Sequence, residues 1–389
     1  MKRLIIGLFL FFACFTQVNA QGVGVSSEID NVDLENITEQ QSEESISLTQ
    51  ETFKAKVIKI LDEKEETFEK NKKLTRQKLL VKGLVGKYAN KELEIDMTND
   101  QNDIVSIVYK VGDTVLVMES FDELGNGTFV VTDLVRTNII LWVFIAFAVL
   151  LLIVGKFKGV RALLSLVLSF LVITEYIVPR ILDGADPITV TVIGSIGILL
   201  AVIYVTEGFN RASHIGAISI FLSLLATIAL SWFLVNLARL NGLSSEEAAF
   251  IIDIGKQSMN LQGILLSGII IGTLGALDDI VIAQVTVVEE LYSANSKMPK
   301  KEVFRKAFRV GVAHISSMTN TLFLAYAGAG LPLLILYVSG QSTFGSWDVA
   351  INNEMIATEI IRTLAGSIGI VLAVPISIFI SVWVLRKDK

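Results

Sequence analysis

The sequence predicts an α-helical polytopic membrane protein of about seven spans that carries a small N-terminal extracytoplasmic β-barrel-like domain. Three observations predict it. The 389 residues are 52% hydrophobic and only 19% charged, with a mean hydropathy of +0.62, more apolar mass than a soluble domain carries. Apolar runs of spanning length begin only after Thr137. Before that point the chain is rich in Lys, Glu, Asp, Asn and Gln and alternates in the manner of strands. A net charge of −6, with no polybasic arm outside one loop, excludes a nucleic-acid partner. Cys14 is the single cysteine, so neither an internal disulfide nor a cysteine-rich metal cluster can form.

Met1, Lys2 and Arg3 precede a short apolar core from Leu4 to Phe15, and Val18-Asn19-Ala20 offers a small-residue cleavage site. Residues 1–20 therefore read as a secretory signal peptide, with an uncleaved anchor as the alternative. Residues 21–50 hold seven acidic side chains (Glu28, Asp30, Asp33, Glu35, Glu39, Glu43, Glu44) and no Lys or Arg. Such a stretch buries too little apolar surface to offset its ordering entropy and is expected to be a disordered acidic tether. Residues 51–135 contain β-rich runs at Phe53–Ile60, Gln77–Val85, Lys91–Met97, Ile104–Met118 and Thr128–Val135, the spacing of a small OB- or SH3-like barrel. That domain has no His, no Cys and no carboxylate pair at catalytic spacing, which leaves a spacer or a partner-binding module.

Residues 136–389 form the helical part. Seven runs approach the roughly 20 residues a span requires: 138–155, 160–178, 187–206, 214–236, 261–277, 311–338 and 356–385. Loop charge orients them. Alternate loops hold Lys156, Lys158 and Arg161; Arg211; Lys297, Lys300, Lys301, Arg305, Lys306 and Arg309; and Arg386, Lys387 and Lys389, whereas the others hold only Arg180, Arg239 and Lys256. The positive-inside rule then places the N-terminal domain outside and the C-terminus in the cytoplasm of a bacterial cytoplasmic membrane. Between the fifth and sixth runs, the segment 278–310 begins with an acidic face (Asp278, Asp279, Thr286, Glu289, Glu290) opposite an apolar one. It is expected to be a separate amphipathic cytoplasmic helix, with Asp278 and Asp279 at its start as N-caps. Gln284 projects from the apolar face and so demands a buried polar partner.

Small residues permit close helix approach, and Gly268 with Gly272, and Gly366 with Gly369, form such pairs. In the sixth run Gly328, Gly330 and Pro332 predict a helix break, with Pro332 leaving the Gly328 carbonyl unpaired. His314, Ser317, Asn320 and Thr321 share one face of the same run, either a structural hydrogen-bond network or a path for a solute or cation. His214 reads as an interfacial residue. GSIGILLAV (194–202) and GSIGIVLAV (366–374) differ at one position, which shared packing explains as well as a repeat does. No HExxH, GxSxG, paired cysteine or phosphate-binding loop is present, so neither an enzyme nor a bound cofactor is expected.

GKFKGVRALLSL (155–166), GALDDIVIAQVTVVEEL (275–291) and HISSMTNTLFLAYAGAGLPLLIL (314–336) resemble the YibE/F family of bacterial multi-pass membrane proteins. The resemblance covers roughly residues 50–385; it implies a topology and carries over no site. The residues themselves lead to the functional expectation of a permease or ion-coupled transporter subunit. Its path would be lined by Asp278, Asp279, Gln284, His314, Ser317, Asn320 and Thr321. The rival is a non-transporting sensory or assembly protein whose outer domain binds an envelope partner. Expected partners are membrane lipid, a second copy or second membrane subunit, and a small solute or cation.

Overall fold

The computed structural model describes residues 52–68, 72–97, 107–121, 127–243, 248, 250, 259–339 and 347–385. The signal peptide and acidic tether read from the sequence lie outside the described residues. The chain divides into two compact units, Met1–Leu150 and Leu151–Lys389.

The first unit holds five antiparallel strands: β1 (Thr52–Phe68), β2 (Lys72–Gly83), β3 (Glu92–Asp96), β4 (Thr114–Phe121) and β5 (Gly127–Leu134). Their order is β3-β2-β1-β4-β5. Inward positions alternate as the period of a strand demands. Phe53, Ala55 and Val57 of β1 meet Leu79 and Val81 of β2, Ile95 of β3, Val115 and Val117 of β4 and Val131 of β5 in one core. The expected barrel does not close. β3 and β5 approach each other, but no ladder joins them among the described residues, so the sheet stays open at both edges. The fourth strand begins only at Thr114, because Gly112, at φ 100°, turns the chain immediately before it.

Two polar clamps fix the ends of this sheet. The Gln77 side chain donates to the Tyr109 carbonyl at 3.1 Å and accepts from its N–H at 2.8 Å, satisfying buried groups on a segment that joins no strand. Tyr88 packs against Phe53 and Phe129, with ring centroids 4.7 and 5.1 Å away, and donates its hydroxyl to Glu119 at 2.5 Å. That hydrogen bond, together with burial, pushes the Tyr88 phenol above its ordinary value. The fold thus favours the neutral phenol. Its contribution is complete below the ordinary tyrosine pKa of about 10 and is lost as pH rises through the raised value. Protease sensitivity of the sheet should therefore climb at alkaline pH in the wild type, and Tyr88→Phe, with no proton to lose, should flatten that rise.

The helices are α1 (Thr137–Leu171), which runs across the division between the units, α2 (Val178–Leu182), α3 (Pro187–Thr206), α4 (Arg211–Leu237), α5 (Leu261–Ala294), α6 (Lys300–Ala329), α7 (Leu331–Val338), α8 (Trp347–Asn352) and α9 (Glu354–Val384). Asparagine or aspartate starts four of the long helices, α3, α4, α5 and α9. Asp186 accepts from the Thr189 N–H, Asn210 from Ser213, Asn260 from Gly263 and Asn353 from Met355, each at 2.8 to 3.0 Å. Within α1, Lys156 takes φ 49° and ψ −124°. A Cβ on Gly159 would overlap the Leu151 carbonyl oxygen, so the chain doubles back at Lys156. A six-residue π-helical segment, Val172–Ile177, joins α1 to α2.

Among the described residues, five helical stretches are long and apolar enough to cross a membrane: Thr137–Leu182, Pro187–Thr206, Arg211–Leu237, Leu261–Ala294 and Glu354–Val384. The chain is thus a membrane protein. α5 and α9 occupy the centre: α5 packs against α3, α4, α6 and α9, and α9 against α4, α5 and α6. Their shared core includes Ile220, Leu277, Val281, Ile370, Val374 and Ile378. Several buried hydroxyls are spent within their own helices: Ser223 donates to the Ser219 carbonyl at 2.7 Å, Thr227 to Ser223 at 2.8 Å and Thr273 to Ile269 at 2.7 Å. Back-bonding of this kind lets polar residues sit in an apolar interior.

The expectation of a separate helix from 278 onward is overturned. α5 runs unbroken from Leu261 to Ala294, so Asp278 and Asp279 lie mid-helix and cap nothing. Gly275 and Ala276 do not stop it, because continuing the helix is what keeps backbone groups paired in apolar surroundings. Close approach is real at other glycines. A Cβ on Gly366 would come within 3.0 Å of Leu322 and 3.3 Å of Thr273, and one on Gly369 would overlap Thr227. Gly369→Val is expected to cost about 1–3 kcal/mol through overpacking between α4 and α9, read as a lower unfolding midpoint of detergent-solubilised protein, while Gly268→Val, whose Cβ meets nothing within 4 Å, should leave that midpoint within error.

Candidate functional site

The polar residues singled out by the sequence gather along the seam between α5 and α6. Gln284 is fully buried on the apolar face of α5, where its amide donates to Nδ1 of His314 at 2.9 Å. Space for the pair comes from Gly311. A Cβ there would stand 2.5 Å from Val374 of α9 and 3.1 Å from Gln284 Oε1, so three helices meet where one residue has no side chain.

A second contact fixes the register. A Cβ on Gly272 would stand 2.7 Å from the Tyr326 hydroxyl. Twelve residues separate Gly272 from Gln284 on α5, and twelve separate His314 from Tyr326 on α6. The two antiparallel helices thus keep step along the seam, which sets Asp278 and Asp279 level with Asn320 and Thr319. Asp279 is exposed; Asp278 is half-buried, with one carboxylate oxygen buried and unpartnered among the described residues. Glu207, at the end of α3, lies within Coulombic reach of Asp278. The face of α5 that carries Asp279 also carries Gly268, Gly272 and Gly275, and a Cβ on Gly268 or Gly275 would meet no atom within 4 Å. Among the described residues the Gly268–Gly272 pair therefore does not seat a helix except where Tyr326 crosses Gly272.

On α6, Ser317, Asn320 and Thr321 are exposed, and Thr321 donates to the Ser317 carbonyl at 3.0 Å. The helix is interrupted at Gly330 and resumes as α7 at Leu331. The Gly328 carbonyl is not orphaned as the sequence suggested, because the Gly330 N–H reaches it, and Pro332 sits in the first turn of α7, where a missing N–H is harmless. His214 stands apart from the seam, its Nδ1 hydrogen-bonded to the Tyr204 hydroxyl at 2.8 Å.

Sequence reasoning missed a third polar level. Glu359 and Arg362 of α9 form an ion pair at 3.3 Å, and both act electrostatically on Tyr326. Two charges three residues apart inside an apolar run were the available signal, hidden by averaging hydropathy over the run. From one end of the seam to the other, polar groups thus recur as Glu359–Arg362–Tyr326, then Asp278–Asp279 beside Asn320, then Gln284–His314.

An antiparallel sheet followed by a bundle of long apolar helices defines a multi-helical membrane protein with an N-terminal β domain. The family description "YibE/F-like protein" matches residues 143–387 and "YibE/F family N-terminal domain" matches residues 31–134; the chain belongs to the YibE/F family. No curated protein and no solved structure matches it.

The buried pair can be weighed directly. Replacing Gln284 by Met removes the amide while keeping the volume. In a double-mutant cycle with His314→Phe, the coupling energy is expected near 0.6 kcal/mol, the average for interhelical hydrogen bonds in a membrane, read from unfolding in detergent.

Proposed function

We propose that the chain is a permease or ion-coupled transporter subunit of a bacterial cytoplasmic membrane, with its β domain outside and its C-terminus in the cytoplasm. The observation that carries this reading is the α5–α6 seam. Carboxylates, amides and hydroxyls at spanning depth are expensive against lipid and are retained where they line an aqueous path or meet a partner. Here they recur at successive depths along the seam, and beside them the α5 face that carries Asp279 is open at Gly268 and Gly275 among the described residues.

Seven crossings fit the same helices. The reversal at Lys156 turns the first apolar stretch into two limbs, and α6, too polar to qualify by composition alone, supplies the sixth crossing between α5 and α9. In this arrangement Asp279, Asn320, Ser317 and Thr321 contact the solute or cation, Asp278 and Glu207 add negative charge beside them, and Gln284–His314 closes the inner end. The role is one of translocation, not catalysis. A signal peptide at residues 1–20 would deliver the β domain outward.

A sensory or assembly role finds its support in the β domain, whose Leu84, Val85, Val108 and Val111 are exposed. Deleting residues 52–134 separates the two readings, since transport through the bundle survives that loss and partner sensing does not.

The direct test is a thermal-shift screen of purified protein against monovalent and divalent cations and common metabolites, wild type beside Asp278→Asn/Asp279→Asn. A ligand that stabilises the wild type and not the variant is the expected result. At a concentration 100 times its Kd, such a ligand adds about 2.7 kcal/mol, well above detection. A variant merely less stable, with no ligand shifting either protein, sinks the proposal.

A further inference from the structure

A cavity of 310 Å³ lies between α6, α7, α8 and α9, at the end of the seam where Tyr326 and Glu359 both reach its wall. Its wall is formed by Phe323 and Ala327 of α6, Leu334 of α7, and Ile360 and Leu364 of α9, with Glu359 as its one charged residue. The hydroxyl of Thr363, also on the wall, is already given to the Glu359 carbonyl at 2.7 Å. An apolar cavity of this kind does not hold ordered water, which needs two to four polar partners. Its rim residues Phe323, Leu334 and Leu364 are 57%, 41% and 52% exposed, and a surface so apolar faces hydrocarbon in a spanning bundle.

Glu359 supplies the second half of the argument. It lies five residues after the start of α9, about 7.5 Å along the helix, near the end of the span where headgroups lie. Arg362 is held to it at 3.3 Å, so a positive charge stands next to the one carboxylate of the wall. Arg362 Nε has no acceptor among the described residues. A zwitterion meets both charges. We propose that the cavity holds one acyl chain of a zwitterionic membrane phospholipid, its phosphate toward Arg362 and its ammonium toward Glu359. Nothing in this inference depends on the permease reading.

Full-length protein is purified in mild detergent from membranes containing phosphatidylethanolamine and phosphatidylglycerol, washed extensively, and its retained phospholipid measured by phosphorus assay and mass spectrometry. The wild type should keep close to one phosphatidylethanolamine per chain. Ala327→Phe and Leu364→Trp each fill the cavity and should each reduce retention at least five-fold without changing elution on a sizing column. Should one of them aggregate, the other decides. Glu359→Gln and Arg362→Gln leave the cavity open and should erase the preference for phosphatidylethanolamine over phosphatidylglycerol. Equal lipid retention in the wild type and a well-folded filled variant overturns the proposal. So does a wild type free of lipid, or a wild-type dimer that either filling substitution converts to monomer.

Discussion

At Gly311 three helices meet in a space that one methyl group would fill. Gln284 reaches in from α5 and Val374 from α9, and both keep their places only because α6 has no side chain there. The buried amide follows from this vacancy. It follows too that α5 and α6 keep one register for twelve residues, since a slip would drive a side chain into the crossing or strand the Gln284 amide away from His314. Interiors packed to crystal-like density respond to such constraints as units. The depth at which Asp278, Asp279 and Asn320 stand is thus set by a residue that carries no chemistry itself.

The helices manage polarity in two ways. Ser223 and Thr227 in α4 and Thr273 in α5 return their hydroxyls to carbonyls one turn back and so present an apolar exterior to their neighbours. Asp279, Asn320 and Ser317 do not, and they remain on faces that no described helix covers. That division distinguishes polar residues that serve packing from those left for something outside the chain.

Much of this was legible in the sequence, for identifiable reasons. Hydropathy located the helices, and an amide in the middle of an apolar face announced that Gln284 would need a partner, which proved to be His314. Strand alternation placed all five strands. Closure of the barrel was not legible, because it depends on whether β3 and β5 come into hydrogen-bonding register, and alternation within a strand says nothing about edges far apart in sequence. Asp278 and Asp279 were misread as caps because a glycine followed by charge resembles a helix boundary in water; in an apolar bundle the backbone has no solvent to turn to and the helix continues. Glu359 and Arg362 disappeared into the average of a strongly apolar run. Gly311 left no signature at all, since its importance lies in what two other helices place against it.

The 34 residues of α5 extend about 51 Å at 1.5 Å per residue, whereas the hydrocarbon core of a bilayer is about 30 Å thick. Roughly 20 Å must therefore be absorbed by tilt or stand clear of the membrane. With no break at Asp278 to act as a joint, the projecting end, bearing Glu289 and Glu290, is a stiff lever on the same rod as the polar seam. A torque applied to those glutamates would be felt at Asp279 as a rotation of the helix rather than dissipated in a loop.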